Sequence, residues 1–206
     1  MTRFEAEIRE QPDVLRRILD DPAPARIGAA LRADPPAMAL SFARGSSDNA
    51  VTFFAYLAGL TLGLPVASVP PSLVTIHRAP FRCDDALGIG VSQSGESQDV
   101  VEALQAFGAA GGRTLAVSNR AGSSLEAAAS WALRQQAGEE RAVAASKTFT
   151  SQMMALSRLI AEWSDSEPLK AALQAVPDAV AALLVDTRAL DLAAARLTHA
   201  EQLDVL

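Results

Sequence analysis

The chain has 206 residues, 50% hydrophobic and 20% charged, with a formal net charge of −6. That is enough apolar chain for one full core and an extension, while the acidic balance offers no general attraction to nucleic acid or to an anionic membrane surface, so neither is expected as a partner. Cys83 is the single cysteine, and His77 and His199 are the two histidines, which excludes an intrachain disulfide and leaves no basis for a metal or a cofactor. No stretch is read as apolar for long enough to cross a bilayer and the N-terminus has no signal-peptide core, so a cytoplasmic location is expected.

The opening stretch Glu5 to Asp21 carries Gln11-Pro12-Asp13 ahead of Val14, Leu15, Ile18 and Leu19, a helix start followed by an apolar stripe at helical spacing. A second amphipathic helix is predicted over Ala25 to Arg32. Met38 to Ala43 is a charge-free run closed by Gly45, and Asn49 to Leu62 resumes a helical apolar pattern. Pro65 to Val69 reads as a further strand. Leu87-Gly88-Ile89-Gly90-Val91 is apolar without alternation, as a strand covered on both faces requires, and Gln98 to Ala109 follows as a helix. Arg113 to Val117 and the turn Ser118-Asn119-Arg120 lead into a short helix near Ser124 to Ala129, and Trp131 to Arg134 reads as a last strand. Strands alternating with helices imply right-handed crossovers. The predicted class is α/β: a doubly wound parallel sheet of about five strands, flavodoxin-like or Rossmann-like, with helices on both faces.

After Thr148 the character changes. Phe149 to Trp163 predicts a long apolar helix, and Pro168 to Leu197, rich in Ala and Leu, predicts two more. Gln202 to Leu206 reads as a strand that has just begun, so the natural protein is expected to continue. The expected organisation is a helical segment over 1–35, the α/β domain over 36–165, and a helical connector over 166–206 leading into a second domain.

In an open parallel sheet, ligands bind where the strands deliver their carboxyl ends to helix N-termini. Two turns at that position are rich in serine: Arg44-Gly45-Ser46-Ser47-Asp48-Asn49 and Ser92-Gln93-Ser94-Gly95-Glu96-Ser97. Unpaired N–H groups and the positive end of a helix dipole stabilise a phosphate there. Hydroxyls of Ser92, Ser94 and Ser97 add donors without charge, and Gly95 lets the backbone turn close to the anion. A lone serine after a strand is ordinarily a helix cap, but six polar or glycine positions in a row exceed what capping requires. No Walker-type loop occurs, and Gly88-Ile89-Gly90 lies within a strand and lacks the third glycine of a dinucleotide fingerprint.

The run Ser92 to Ser97 resembles the phosphate-binding motif of SIS (sugar isomerase) domains, and Ala137 to Phe149 resembles a second stretch of that family. Both are similar in sequence and order to the isomerase half of glucosamine-6-phosphate synthase. Glu10-Gln11-Pro12 matches the opening of that half and Gly45-Ser46-Ser47 its first serine turn, so the resemblance spans roughly residues 5 to 163. It implies an SIS fold, with phosphate contacts from Ser92, Gln93, Ser94 and Ser97. Ser46 and Ser47 fall near sugar and phosphate, and the Val143 backbone near the sugar hydroxyls. Where the family often has Ser-Glu-Phe, this chain has Ser72-Leu73-Val74, so no role resting on that glutamate carries over. Ala145 replaces a frequent serine and removes one hydroxyl contact.

The resemblance further implies an aldose–ketose isomerase or a glucosamine-6-phosphate deaminase of the double-SIS type, acting on an amino-sugar 6-phosphate. A form without a glutaminase domain is expected, and the family's carboxylate base, ring-opening histidine and terminal lysine are expected beyond Leu206. The alternative is a non-catalytic sugar-phosphate sensor, which usually carries a basic helix-turn-helix segment before the SIS domain, whereas the residues ahead of the first strand here are not basic. Lys147 is read as a solvated helix-start lysine, with a phosphate contact as the lesser alternative, Glu96 as a structural or orienting carboxylate, and His77 as surface or satisfied core. The acidic Asp84 and Asp85 argue against a nucleophilic Cys83. The apolar helix from Phe149, with those after it, suggests more apolar surface than one sheet can cover, hence an expected homodimer or pairing with a second SIS domain.

Overall fold

Five strands form one parallel sheet in the computed structural model, which describes residues 1–198. They are β1 Met38–Phe42, β2 Val66–Ser68, β3 Ala86–Ser92, β4 Arg113–Ser118 and β5 Trp131–Arg134, ordered β2-β1-β3-β4-β5. Pairing of β1 with β3 runs from Met38↔Ala86 to Phe42↔Gly90. The strand predicted over Gln202 to Leu206, and His199, lie outside the described residues.

β3 is buried along its whole length, which explains its lack of alternation. Its Leu87, Ile89 and Val91 join Val51 and Phe54 of α4 (Ser46–Leu62) and Leu156 and Ile160 of α8 (Lys147–Trp163) on one face. Its other face carries Gly88 and Gly90, beneath Leu104 and Phe107 of α6 (Gln98–Ala109). A Cβ on Gly88 would lie 2.5 Å from the Phe107 ring, so the glycines of this strand serve packing. Each fully buried Leu, Ile or Phe contributes on the order of 1.5–3 kcal/mol, and these two layers hold most of the core. A third cluster joins Val14, Leu15 and Ile18 of α2 (Gln11–Leu19) to Met154 of α8 and Leu173 of α9 (Glu167–Val185).

Several boundaries differ from the sequence reading. A further helix, α1 (Arg3–Arg9), precedes α2, and the two are separate because Pro12 has no N–H and is tolerated only in the first turn of α2. α3 covers Ala23–Ala33. α4 begins at Ser46, not Asn49, so Ser46 and Ser47 belong to its first turn. Short helices α5 (Ser72–Thr75) and α7 (Ser124–Ala127) complete the β2–β3 and β4–β5 crossovers, and α10 (Arg188–Leu197) follows α9.

Two expectations about apolar helices need correction. α8 does not await an outside partner: twelve of its 17 residues are buried, under α2, α3, α4 and α9 of the same chain. α9 does have the length and mean hydropathy, 1.4, of a membrane-crossing helix, because Ala, Leu and Val fill it around only a few charges. It lies against α2, with Leu173 and Pro177 buried and Asp178 paired to Arg16 at 2.7 Å.

Candidate functional site

The strand order reverses between β1 and β3, and in such sheets the crevice at the carboxyl ends opens at that point. The two serine turns follow these two strands. They enclose a cleft of about 280 Å³, lined by Arg44, Gly45, Ser46 and Ser47 from one side and by Ser92, Gln93, Ser94 and Ser97 from the other. Of the residues singled out in the sequence, six therefore come together. The seventh, Val143, stands on the loop before α8 with its side chain 98% exposed.

Capping does not account for the second turn. Ser97 occupies the N-cap position of α6, yet its side chain makes no capping hydrogen bond. Its Oγ lies 3.0 Å from Ser92 Oγ instead. Ser92 Oγ also accepts from Gly95 N–H at 3.2 Å, and Ser94 Oγ accepts from Glu96 N–H at 3.1 Å. Gly95 is held at φ +70°, and a Cβ there would sit 2.5 Å from Ser123 Cβ and nearer still to its Oγ. The turn thus gathers hydroxyls beside a helix N-terminus whose dipole favours an anion.

Behind the cleft stands a set of groups that the sequence did not single out. Among the described residues, Arg44 brings the one formal positive charge to the lining and donates from Nε to Asp99 Oδ2 at 2.6 Å, leaving other guanidinium donors. Gln135, fully buried, donates to the Ser92 carbonyl at 3.1 Å, and Gln152, also buried, donates to Ser47 Oγ at 3.1 Å. Glu140 Oε1 accepts from the N–H groups of Ser146, Lys147 and Thr148 at the start of α8. Its Oε2 takes the Thr148 hydroxyl and the Gln93 amide, the latter at 3.1 Å. One carboxylate therefore ties the second serine turn to the loop before α8.

That loop is also held from α1. Glu7 accepts the Arg141 and Ala142 N–H groups at 2.7 and 3.0 Å, and these bonds, that of Arg141 foremost, hold its carboxyl below the usual carboxylate range. Lys147 corrects its sequence reading: it is 2% exposed and paired to Glu10 Oε2 at 2.6 Å, neither solvated nor lining the cleft. The signal available was the apolar helix it opens, which buries the first turn. Glu96 turns away from the cleft to the Ser124 hydroxyl at 2.6 Å, and the Ser124 hydroxyl and N–H keep it ionised below its ordinary range. His77 is exposed after α5. Burial, and then Asp84, push the Cys83 thiol upward, so it is a packing residue.

Residues 36–161 match the model of the SIS domain family. The chain is an SIS domain protein. This SIS chain is 32% identical over 191 residues to the glutamine–fructose-6-phosphate aminotransferase (isomerizing) of Symbiobacterium thermophilum, a match covering 84% of this chain and 31% of that protein. It is 38% identical over 156 residues to the corresponding protein of Gloeobacter violaceus, covering 72% and 25%. A candidate phosphosugar isomerase of known structure from Silicibacter pomeroyi superposes with a TM-score of 0.86 at 41% identity, covering 88% of this chain and 56% of that one. The chain thus spans less than a third of the curated relatives and little more than half of that structure.

Proposed function

We propose that the cleft between the β1 and β3 turns holds the phosphate of a phosphorylated sugar, in the class of amino-sugar 6-phosphates. The chain then serves as the substrate-anchoring part of an aldose–ketose isomerase or a glucosamine-6-phosphate deaminase. The observation that carries this reading is the convergence of two serine-bearing helix starts on one cleft, with a Ser97 hydroxyl that caps nothing. The names of the relatives, an isomerizing aminotransferase and a phosphosugar isomerase, support the substrate class.

Anchoring and chemistry are separable here. Moving a proton between adjacent carbons needs a base with a pKa near the working pH. Among the described residues the cleft lining contains Arg44 as its one ionisable side chain, with neither carboxylate nor imidazole. Fixing the phosphate positions the far end of the sugar, and the base must come from outside this lining.

Calorimetric titration of residues 1–206 with glucosamine 6-phosphate tests the reading, alongside assays of isomerisation and ammonia release. Binding without turnover is expected. Ser94→Ala removes a hydroxyl facing a charged oxygen and should weaken binding by roughly 1.5–3 kcal/mol. Turnover by these residues alone would contradict the separation of anchoring from chemistry.

A further inference from the structure

A hydroxyl has one proton and two lone pairs, and which of them faces a ligand decides what the ligand must offer. At Ser47 that choice is made from behind, by α8. Gln152 is 1% exposed, its Nε2 donates to Ser47 Oγ at 3.1 Å, and its Oε1 is buried without a hydrogen-bond partner among the described residues. Accepting from Gln152 occupies a lone pair of Ser47 and leaves the Ser47 proton free. Ser47 is in the first turn of α4, so the residue four positions back, Ala43, lies in the turn after β1 and not in a helix whose carbonyl would take that proton. Turning the Gln152 amide over would have the opposite effect, since its oxygen would then claim the Ser47 proton.

We infer that Gln152 is a positioning residue that holds the Ser47 hydroxyl as a donor into the cleft. The inference rests on the sugar-phosphate reading of that cleft and deepens it: the Ser47 proton is offered to an acceptor atom of the ligand, a phosphate or sugar oxygen.

The test measures affinity for glucosamine 6-phosphate by calorimetry in the wild-type chain and in Ser47→Ala, Gln152→Met, the double variant and Gln152→Glu, with thermal unfolding of each to confirm folding. Gln152→Met is expected to weaken binding by about 5- to 10-fold when Ser47 is present and not at all when it is Ala. In Gln152→Glu the introduced carboxyl still donates to Ser47 when protonated and only accepts when ionised. Its affinity relative to wild type should therefore fall as pH rises from about 5 to about 9, a range wide enough for a carboxyl raised by burial. Equal losses with and without the Ser47 hydroxyl would mean that Gln152 acts by packing alone and would overturn the inference, as would a Gln152→Glu ratio that is flat in pH. A wild-type chain that fails to bind, or a Ser94→Ala chain that binds like wild type, would overturn the reading of the cleft itself, and the inference with it.

Discussion

Ser97 separates the two roles a serine can have at a helix start. A hydroxyl that caps a helix typically contributes about 1 kcal/mol, lost on replacement by Ala. In this chain the Ser97 hydroxyl faces Ser92 and not the helix. Ser97→Ala is therefore expected to lower stability by less than that amount while weakening sugar-phosphate binding several-fold, as urea midpoints and calorimetry on the same preparation would report. A full capping loss with unchanged binding would return Ser97 to an ordinary cap. Gly95 behaves in the opposite way. With φ at +70° and Ser123 in the place of any Cβ, Gly95→Ala should destabilise the fold by roughly 1–3 kcal/mol and disorder the turn. A Gly95→Ala chain with wild-type urea midpoint would show that the turn has room the geometry denies.

At the scale of elements, the loop before α8 is fastened by two carboxylates, Glu140 from within and Glu7 from α1. The Glu7 carboxyl is held below its ordinary 4.5 by the Arg141 and Ala142 N–H groups. A lowered folded pKa means that the bonds favour the ionised form. Their stabilisation is full above the unfolded value and is lost as pH falls through the lower, folded one. Glu7→Gln is thus expected to be less stable than wild type at neutral pH, with the difference shrinking below about pH 4.5. Denaturant midpoints against pH would show it, and a difference constant in pH would contradict it. These fastenings also mark the limit of what the sequence reveals. The strands and the serine turns were legible because they are local: an apolar run, then a cluster of hydroxyls at a helix start. Gln152 and Ser47 are 105 positions apart, and Glu7 and Arg141 are 134 apart, so nothing in spacing or composition could pair them. Lys147 was misread for the same reason, since its partner Glu10 lies 137 positions away.

For the whole molecule, the parallel sheet with helices on both faces followed from the alternation of strands and helices, and the structure adds the strand order, whose reversal between β1 and β3 is where the candidate cleft lies. What alternation could not tell was which apolar helices the chain covers itself. α8 is enclosed, whereas Leu183, Val185, Leu190 and Leu192 on α9 and α10 remain between 58% and 83% exposed. Association through this face is expected, giving a mass in light scattering above the 21.6 kDa of one chain, reduced by Leu190→Glu together with Leu192→Glu. A monomer at every concentration would contradict it.

The central claim concerns where the phosphate sits, and a crystal grown with glucosamine 6-phosphate reads this directly. A larger hollow of about 450 Å³ lies nearby, lined by Thr75, Arg78, Gln98, Asp99 and Glu102, and it offers an anion one guanidinium beside two carboxylates. Phosphate density is expected in the other cleft, within about 3 Å of the Ser92, Ser94 and Ser97 hydroxyls and the adjoining backbone N–H groups. A serine turn left empty while the ligand fills the larger hollow, or any other surface, would contradict the assignment.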